Sequence, residues 1–226
     1  MPKADELPAF LIPKMKPRET ATHALENDID MIPALVAGGF QGLRPAEFHA
    51  EGAKRPPLKW EAFIWNDNIL HIVGQKIRSK ANRDIPLHAV TRAWLEPFKV
   101  LQGEIWQYKQ AYNKKTAALR AKAGVKSGYD GLRHSYASYR IGHLKGNLPE
   151  LAQEMGNSPR EIINSYKRNV TDAEADEWFN IMPPKDYAEL IYQHIQNESR
   201  QFGVSLRETQ PPLSRNALVD GALMRV

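Results

Sequence analysis

Apolar residues recur at helical spacing through residues 22–40, at Leu25, Ile29, Ile32, Leu35 and Val36, with Asp28 and Asp30 near the expected start. Gly42 permits a tight turn, and Arg44-Pro45-Ala46-Glu47 opens a second, short helix with proline in its first turn. A polar loop at 52–57 separates this region from three β-prone runs, 60–65, 69–75 and 83–87. Asn66-Asp67-Asn68 joins the first two runs, and a longer turn near Ser79-Lys80-Ala81-Asn82 joins the last two. Connections this short allow only antiparallel neighbours, so a three-stranded antiparallel sheet is predicted. From residue 89 onward the pattern is helical, over 90–101, 107–123, 132–144, 148–155, 159–170, 172–180 and 186–202. Thr171, Asp172 and Glu174 form a capping-box start. The fold class is therefore mainly α with one small three-stranded antiparallel sheet inserted early.

Proline and lysine dominate residues 1–20, which read as an extended lead-in or linker. Residues 21–204 read as one domain and 205–226, with Pro211-Pro212 and little periodicity, as a mobile C-terminal tail. The 226 residues are enough for a real core. The chain has no cysteine, which excludes disulfides, thiolate metal sites and thiol nucleophiles. No apolar run is long enough to span a bilayer, and the first residues lack a secretory apolar segment, so a cytoplasmic protein is expected. The 31 Lys and Arg against 26 Asp and Glu leave a net charge of only +5, so the distribution of charge matters more than the sum. Residues 105–129 carry Lys109, Lys114, Lys115, Arg120, Lys122 and Lys126 with no acidic residue among them. Such a stretch can track a phosphate backbone or simply be a solvated helix face.

Three segments combine with this layout. The first is Gly42-Leu43-Arg44-Pro45-Ala46-Glu47, and the second is Asp130-Gly131-Leu132-Arg133-His134-Ser135-Tyr136-Ala137-Ser138. The third is Met155-Gly156-Asn157-Ser158-Pro159, with Tyr166 nine positions after Asn157. Taken singly, Arg44 reads as a surface or capping residue, Arg133 as a helix tether and Tyr166 as helix core. Taken together, in this order and around a β-hairpin, they resemble the tyrosine recombinase (phage integrase) family over about residues 28–178. The resemblance implies that family's catalytic-domain fold. It also implies a site-specific recombinase that cuts and rejoins double-stranded DNA through a covalent 3′-phosphotyrosyl intermediate, with neither metal nor nucleotide cofactor. By the same resemblance Arg44 and Arg133 clamp the scissile phosphate, Tyr166 is the nucleophile and a hairpin lysine is the general acid. Guanidiniums suit the first task because each offers paired donors to non-bridging oxygens. A tyrosine, with an ordinary pKa of about 10, becomes a usable nucleophile when cations crowd it.

Within the hairpin, the resemblance points to Arg78, flanked by Lys76 and Lys80. The three share one strand parity and parity cannot separate them. Lys80 is favoured for its place in the turn, Lys76 comes second, and Arg78 is a poor acid because guanidinium hardly deprotonates. Arg83 is expected at backbone phosphate or on the sheet, and Lys167 and Arg168 beside the DNA. Glu47 is expected to brace Arg44 or its turn. His134 stands in its usual place, but two positions depart from the family pattern. Asp130 replaces a histidine or lysine and is expected to orient Arg133 or cap the helix near Leu132. Asn157 replaces a histidine or tryptophan and can donate through its amide without carrying a charge. Both departures make a DNA-binding module with weak or lost catalysis a rival reading, and a type IB topoisomerase-like enzyme is a third. Roughly 25 residues precede the pattern, too few for the family's N-terminal clamp domain, so an excised domain or a short relative is expected. The family context further implies a homo-tetramer on DNA, weak association without it, and a bacterial or phage nucleoid location. It leaves open whether the last helix docks on its own chain or on a neighbour.

Overall fold

The computed structural model describes residue 24 and residues 28–48, 57–73, 82–106, 112–122, 124, 130–165 and 170–202. These residues are mainly helical, with one three-stranded antiparallel sheet. Helix α1 (Ile32–Gln41) follows a 3-10 turn at Ile29–Met31 and carries Pro33 in its first turn, where no amide donor is needed. The short α2 (Pro45–Phe48) starts at the proline that the sequence pattern singles out.

The sheet comprises β1 (Phe63–Ile64), β2 (Ile69–Ile72) and β3 (Arg83–Pro86) in that order. Leu70 lies opposite Phe63 on one side and Ile85 on the other, all three buried. On the opposite face His71 pairs with Asp84, Nδ1 to Oδ1 at 2.6 Å. The first β-prone run is shorter than its composition suggests. Trp60–Ala62 is a 3-10 turn rather than strand. The Trp60 N–H donates to Gly103 O, and the ring stacks on Phe98 with centroids 5.8 Å apart and planes within 8°. Burial of the indole against that partner decides the local backbone.

Helices α3 (Ala89–Leu95), α4 (Tyr112–Lys122), α5 (Gly131–His143), α6 (Leu148–Met155), α7 (Pro159–Ser165), α8 (Asp172–Phe179) and α9 (Tyr187–Phe202) complete the fold. The apolar run 90–101 does not form one helix. It tightens into a 3-10 turn at Glu96–Val100, where Pro97 lacks the amide an α-turn requires. Helix α1 packs against α3 and α5, α5 also against α6 and α8, and α6 against α7 and β3. Helix α8 keeps the capping box read from Thr171 and Glu174. The last helix lies on its own chain. Tyr187, Ile191 and Ile195 are buried, the Tyr187 hydroxyl donates to Trp94 O at 2.7 Å, and His194 meets Asp30 at 2.7 Å. Among the described residues no helix is long and apolar enough to cross a membrane.

Candidate functional site

Two left-handed glycines shape the site. Gly42 ends α1 at φ 64°, so that Leu43 turns into the core and Arg44 emerges beside it. A Cβ at Gly42 would come within 2.6 Å of Tyr136 Cε1, so both the dihedral and the space require glycine. Gly156 ends α6 at φ 62°, and the Asn157 N–H returns to Ala152 O at 2.9 Å, which exposes the last carbonyls of α6 to one side.

Three arginines from three separate elements cover those carbonyls. Arg83, at the start of β3, donates from Nε to Glu154 O at 3.0 Å. Arg44, after α1, donates to Met155 O at 3.3 Å and to Gly156 O at 3.2 Å. Arg133, in the first turns of α5, donates to Met155 O at 2.8 Å and to Gly42 O. Cations at a helix C-terminus meet the negative end of its dipole. The Arg133 and Arg44 guanidiniums also donate to one atom, Asn157 Oδ1: Arg133 at 2.7 Å, and Arg44 through Nη2. The first and second segments thus meet at the third. Asn157 does not act there as a donor, because a guanidinium has no lone pair to receive its N–H. Arg133 is 3% exposed and the Arg44 side chain 25%, so solvent reaches the pair from the Arg44 side.

Glu47 ties the ring together from below. Its carboxylate accepts the Arg44 backbone N–H at 2.7 Å and Arg83 Nη2 at 2.9 and 3.0 Å. Burial by itself raises the pKa of this carboxyl. The charge of Arg83, the Arg44 N–H and the charges of Arg133 and Arg44 outweigh burial and hold the group below its ordinary value. Arg83 lies on the sheet, at the first position of β3. Its side chain is 10% exposed and bonded to Glu47 and the α6 terminus, because β3 delivers it between the two. Asp130 stands at the N-cap of α5, but its carboxylate makes no capping bond, and its backbone carbonyl accepts the His134 N–H at 2.9 Å. His134 is half-buried. Burial, aided by Arg133, lowers its pKa against the opposing effect of Asp130.

The basic stretch is less bare than the sequence suggests. Folding brings Asp28 within 3.5 Å of both Lys115 and Lys122, while Lys114 is exposed and Arg120 half-buried on the same helix. Such surface pairs are weak and leave the cations able to exchange partners. Tyr166, Lys76, Arg78, Lys80, Lys109, Lys126, Lys167 and Arg168 lie outside the described residues, as do the lead-in 1–20 and the tail 205–226. Among the described residues, no group of three His, Asp or Glu side chains gathers as metal ligands would.

A second polar cluster, centred on Glu154, carries no recognisable motif. The Glu154 carboxylate is buried on α6 and accepts Arg140 Nε at 3.0 Å, Arg140 Nη2 at 2.6 Å and the Tyr136 hydroxyl at 2.7 Å. Tyr136 is also 3.1 Å from His88 Nε2. Since the single phenolic proton goes to Glu154, the His88 Nε2 must donate, which fixes its tautomer. Burial first, then the charge of Arg140, pushes the His88 pKa down to about 4. The signal in the sequence was spacing: Arg133, Tyr136 and Arg140 stand at i, i+3 and i+7 on one helical face. Comparison of the chain with protein-family models, curated proteins and solved structures finds no match.

Proposed function

We propose that this chain is the catalytic domain of a site-specific tyrosine recombinase, with the corresponding fold. In this reading it cleaves and rejoins double-stranded DNA through a 3′-phosphotyrosyl bond at Tyr166. The observation that carries the reading is the convergence of Arg44 and Arg133, 89 positions apart (133 − 44), on the single oxygen of Asn157. Two guanidiniums sharing one acceptor form a cradle for an anionic oxygen, and a non-bridging phosphate oxygen is a better partner than a neutral amide. The clamp then stabilises charge as it builds on the phosphorus oxygens. The phenolate oxygen of Tyr166 attacks phosphorus, the 5′ oxygen departs with a proton from Lys80, and the phosphodiester energy is kept for rejoining. Guanidinium, phenol and ammonium do the work, with neither metal nor nucleotide as cofactor. Lys114, Lys115, Arg120 and Lys122 on α4, with Lys109, Lys126, Lys167 and Arg168, supply backbone contacts. The working unit is a tetramer assembled on DNA, and its place in the cell is with the nucleoid in the cytoplasm.

The test is a nicked suicide duplex. The wild-type chain is expected to form a covalent protein–DNA adduct that resists denaturation, and Tyr166→Phe to form none. An adduct that persists in Tyr166→Phe rules out that nucleophile. One observation favours a second reading, a DNA-binding module with little turnover: Arg133 is nearly inaccessible and already holds two carbonyls and an amide oxygen. That reading predicts salt-sensitive duplex binding with no adduct on any site.

A further inference from the structure

The Glu154 cluster is costly for what it contributes to stability. A carboxylate buried in the last turn of a helix is desolvated and stands against the negative end of the helix dipole. Replacing a buried ionic cluster with apolar side chains of similar volume is often neutral or stabilising. Stability alone therefore gives no reason for Glu154, Arg140 and Tyr136 to stand where apolar side chains would pack.

Geometry gives one. Glu154 belongs to the same turn whose carbonyls receive the arginines: its own O takes Arg83, Met155 O takes Arg44 and Arg133, and Gly156 O takes Arg44. The carboxylate is gripped from α5 by Arg140, two helical turns along from Arg133. Arg83 then crosses to Glu47, and Glu47 holds the Arg44 amide. The chain of contacts closes on itself and joins α5, α6, β3 and the α1–α2 turn. Apolar packing would permit α6 to rotate or slide by fractions of an ångström. A two-point Arg140–Glu154 grip with a third bond from Tyr136 does not, because hydrogen bonds are directional.

We infer that Glu154, with Arg140 and Tyr136, is a positioning element that sets the rotation of α6, and thereby the aim of the Arg44 and Arg133 guanidiniums, without touching substrate. The inference rests on the recombinase reading for its chemical consequence but not for its geometry. Two measurements keep the two apart. The first uses the triple variant Tyr136→Phe, Arg140→Leu and Glu154→Leu in single-turnover cleavage of the suicide duplex. The variant is expected to fold, to bind duplex with unchanged affinity and to form adduct about 100-fold more slowly, the scale set by an ångström of misplacement. A folded triple variant that forms adduct at the wild-type rate overturns the inference. The second measurement needs neither activity nor the triple variant. It follows the arginine side-chain NMR signals of Arg44 and Arg133 in the wild type and in Glu154→Gln. The wild type is expected to show separate, slowly exchanging Nη signals, and Glu154→Gln to show both sets broadened or merged. Unchanged Nη signals in Glu154→Gln overturn the inference. Absence of adduct in the wild type would instead count against the recombinase reading and leave this result intact.

Discussion

At the scale of single residues, Asn157 concentrates the question of function. Its Oδ1 stands where two cationic side chains meet, a neutral acceptor in a place suited to an anion. Asn157→Asp puts a permanent carboxylate there. Charge-assisted bonds to both arginines then stabilise the fold, by about 1.5–3 kcal/mol, and on the recombinase reading the carboxylate repels the scissile phosphate. The expected outcome is a higher Tm together with loss of adduct and a shallower salt dependence of duplex binding. A variant with both a higher Tm and full cleavage would show that phosphate does not sit at this oxygen. Arg44, Arg133 and Glu47 were legible because a dense local motif surrounds each one. Arg83 was not: residues on a strand declare a face but not what lies across from it, and Glu47, which claims this guanidinium, is 36 positions away. Glu154 was equally silent, since its partners stand on another helix and nothing in the segment 148–155 distinguishes a buried carboxylate from a solvated one.

At the scale of elements, the helices and the antiparallel sheet followed the apolar periodicity, and boundaries moved where a tertiary contact or a missing amide intervened. Trp60 left the strand for its stack on Phe98, and Pro97 split the run that begins α3. The turns that aim the site depend on glycine for two separable reasons, which gives a graded prediction. Gly42→Ala must accept a left-handed dihedral and also displace the fully buried Tyr136 ring. Backbone strain of about 1–2 kcal/mol and overpacking of about 1–3 kcal/mol add to a loss of roughly 2–5 kcal/mol. Gly146→Ala shares the positive φ, 80°, but a Cβ there meets nothing within 4 Å, so only the strain of about 1–2 kcal/mol applies. Denaturant titration of the two variants should rank them in that order. Equal losses would mean that the ring moves aside freely and that the α1–α5 contact is looser than its geometry indicates.

At the scale of the whole molecule, the buried charges govern how the fold answers to acid. His88 has a folded-state pKa of about 4 against an ordinary 6.5, with burial the main cause and the Arg140 charge the second. Above pH 6.5 it is neutral folded and unfolded, and its contribution is fully present. As pH falls from 6.5 toward 4 the unfolded chain takes up a proton that the folded chain refuses, so stability is lost across that window, by about 3 kcal/mol in all. Glu47 and Glu154 act in the same sense at lower pH. Both are raised by burial and lowered further by their arginine and hydrogen-bond partners, so their stabilisation is present above the ordinary 4.5 and is lost as pH drops through their folded values. His194 opposes them. Its hydrogen bond to Asp30 raises its pKa, so its contribution is complete below pH 6.5 and is lost as pH rises through the folded value. Two variants separate these terms. His88→Phe keeps an aromatic ring against Phe179 and leaves the Tyr136 hydroxyl its bond to Glu154, and it should flatten the stability profile between pH 6.5 and 4. His194→Gln should leave that slope in place and remove only the decline on the alkaline side. Tm measured at half-unit pH steps resolves the two. If the slope between pH 6.5 and 4 survives in His88→Phe, then another group carries it, and the folded chain does not hold the His88 pKa below its ordinary value.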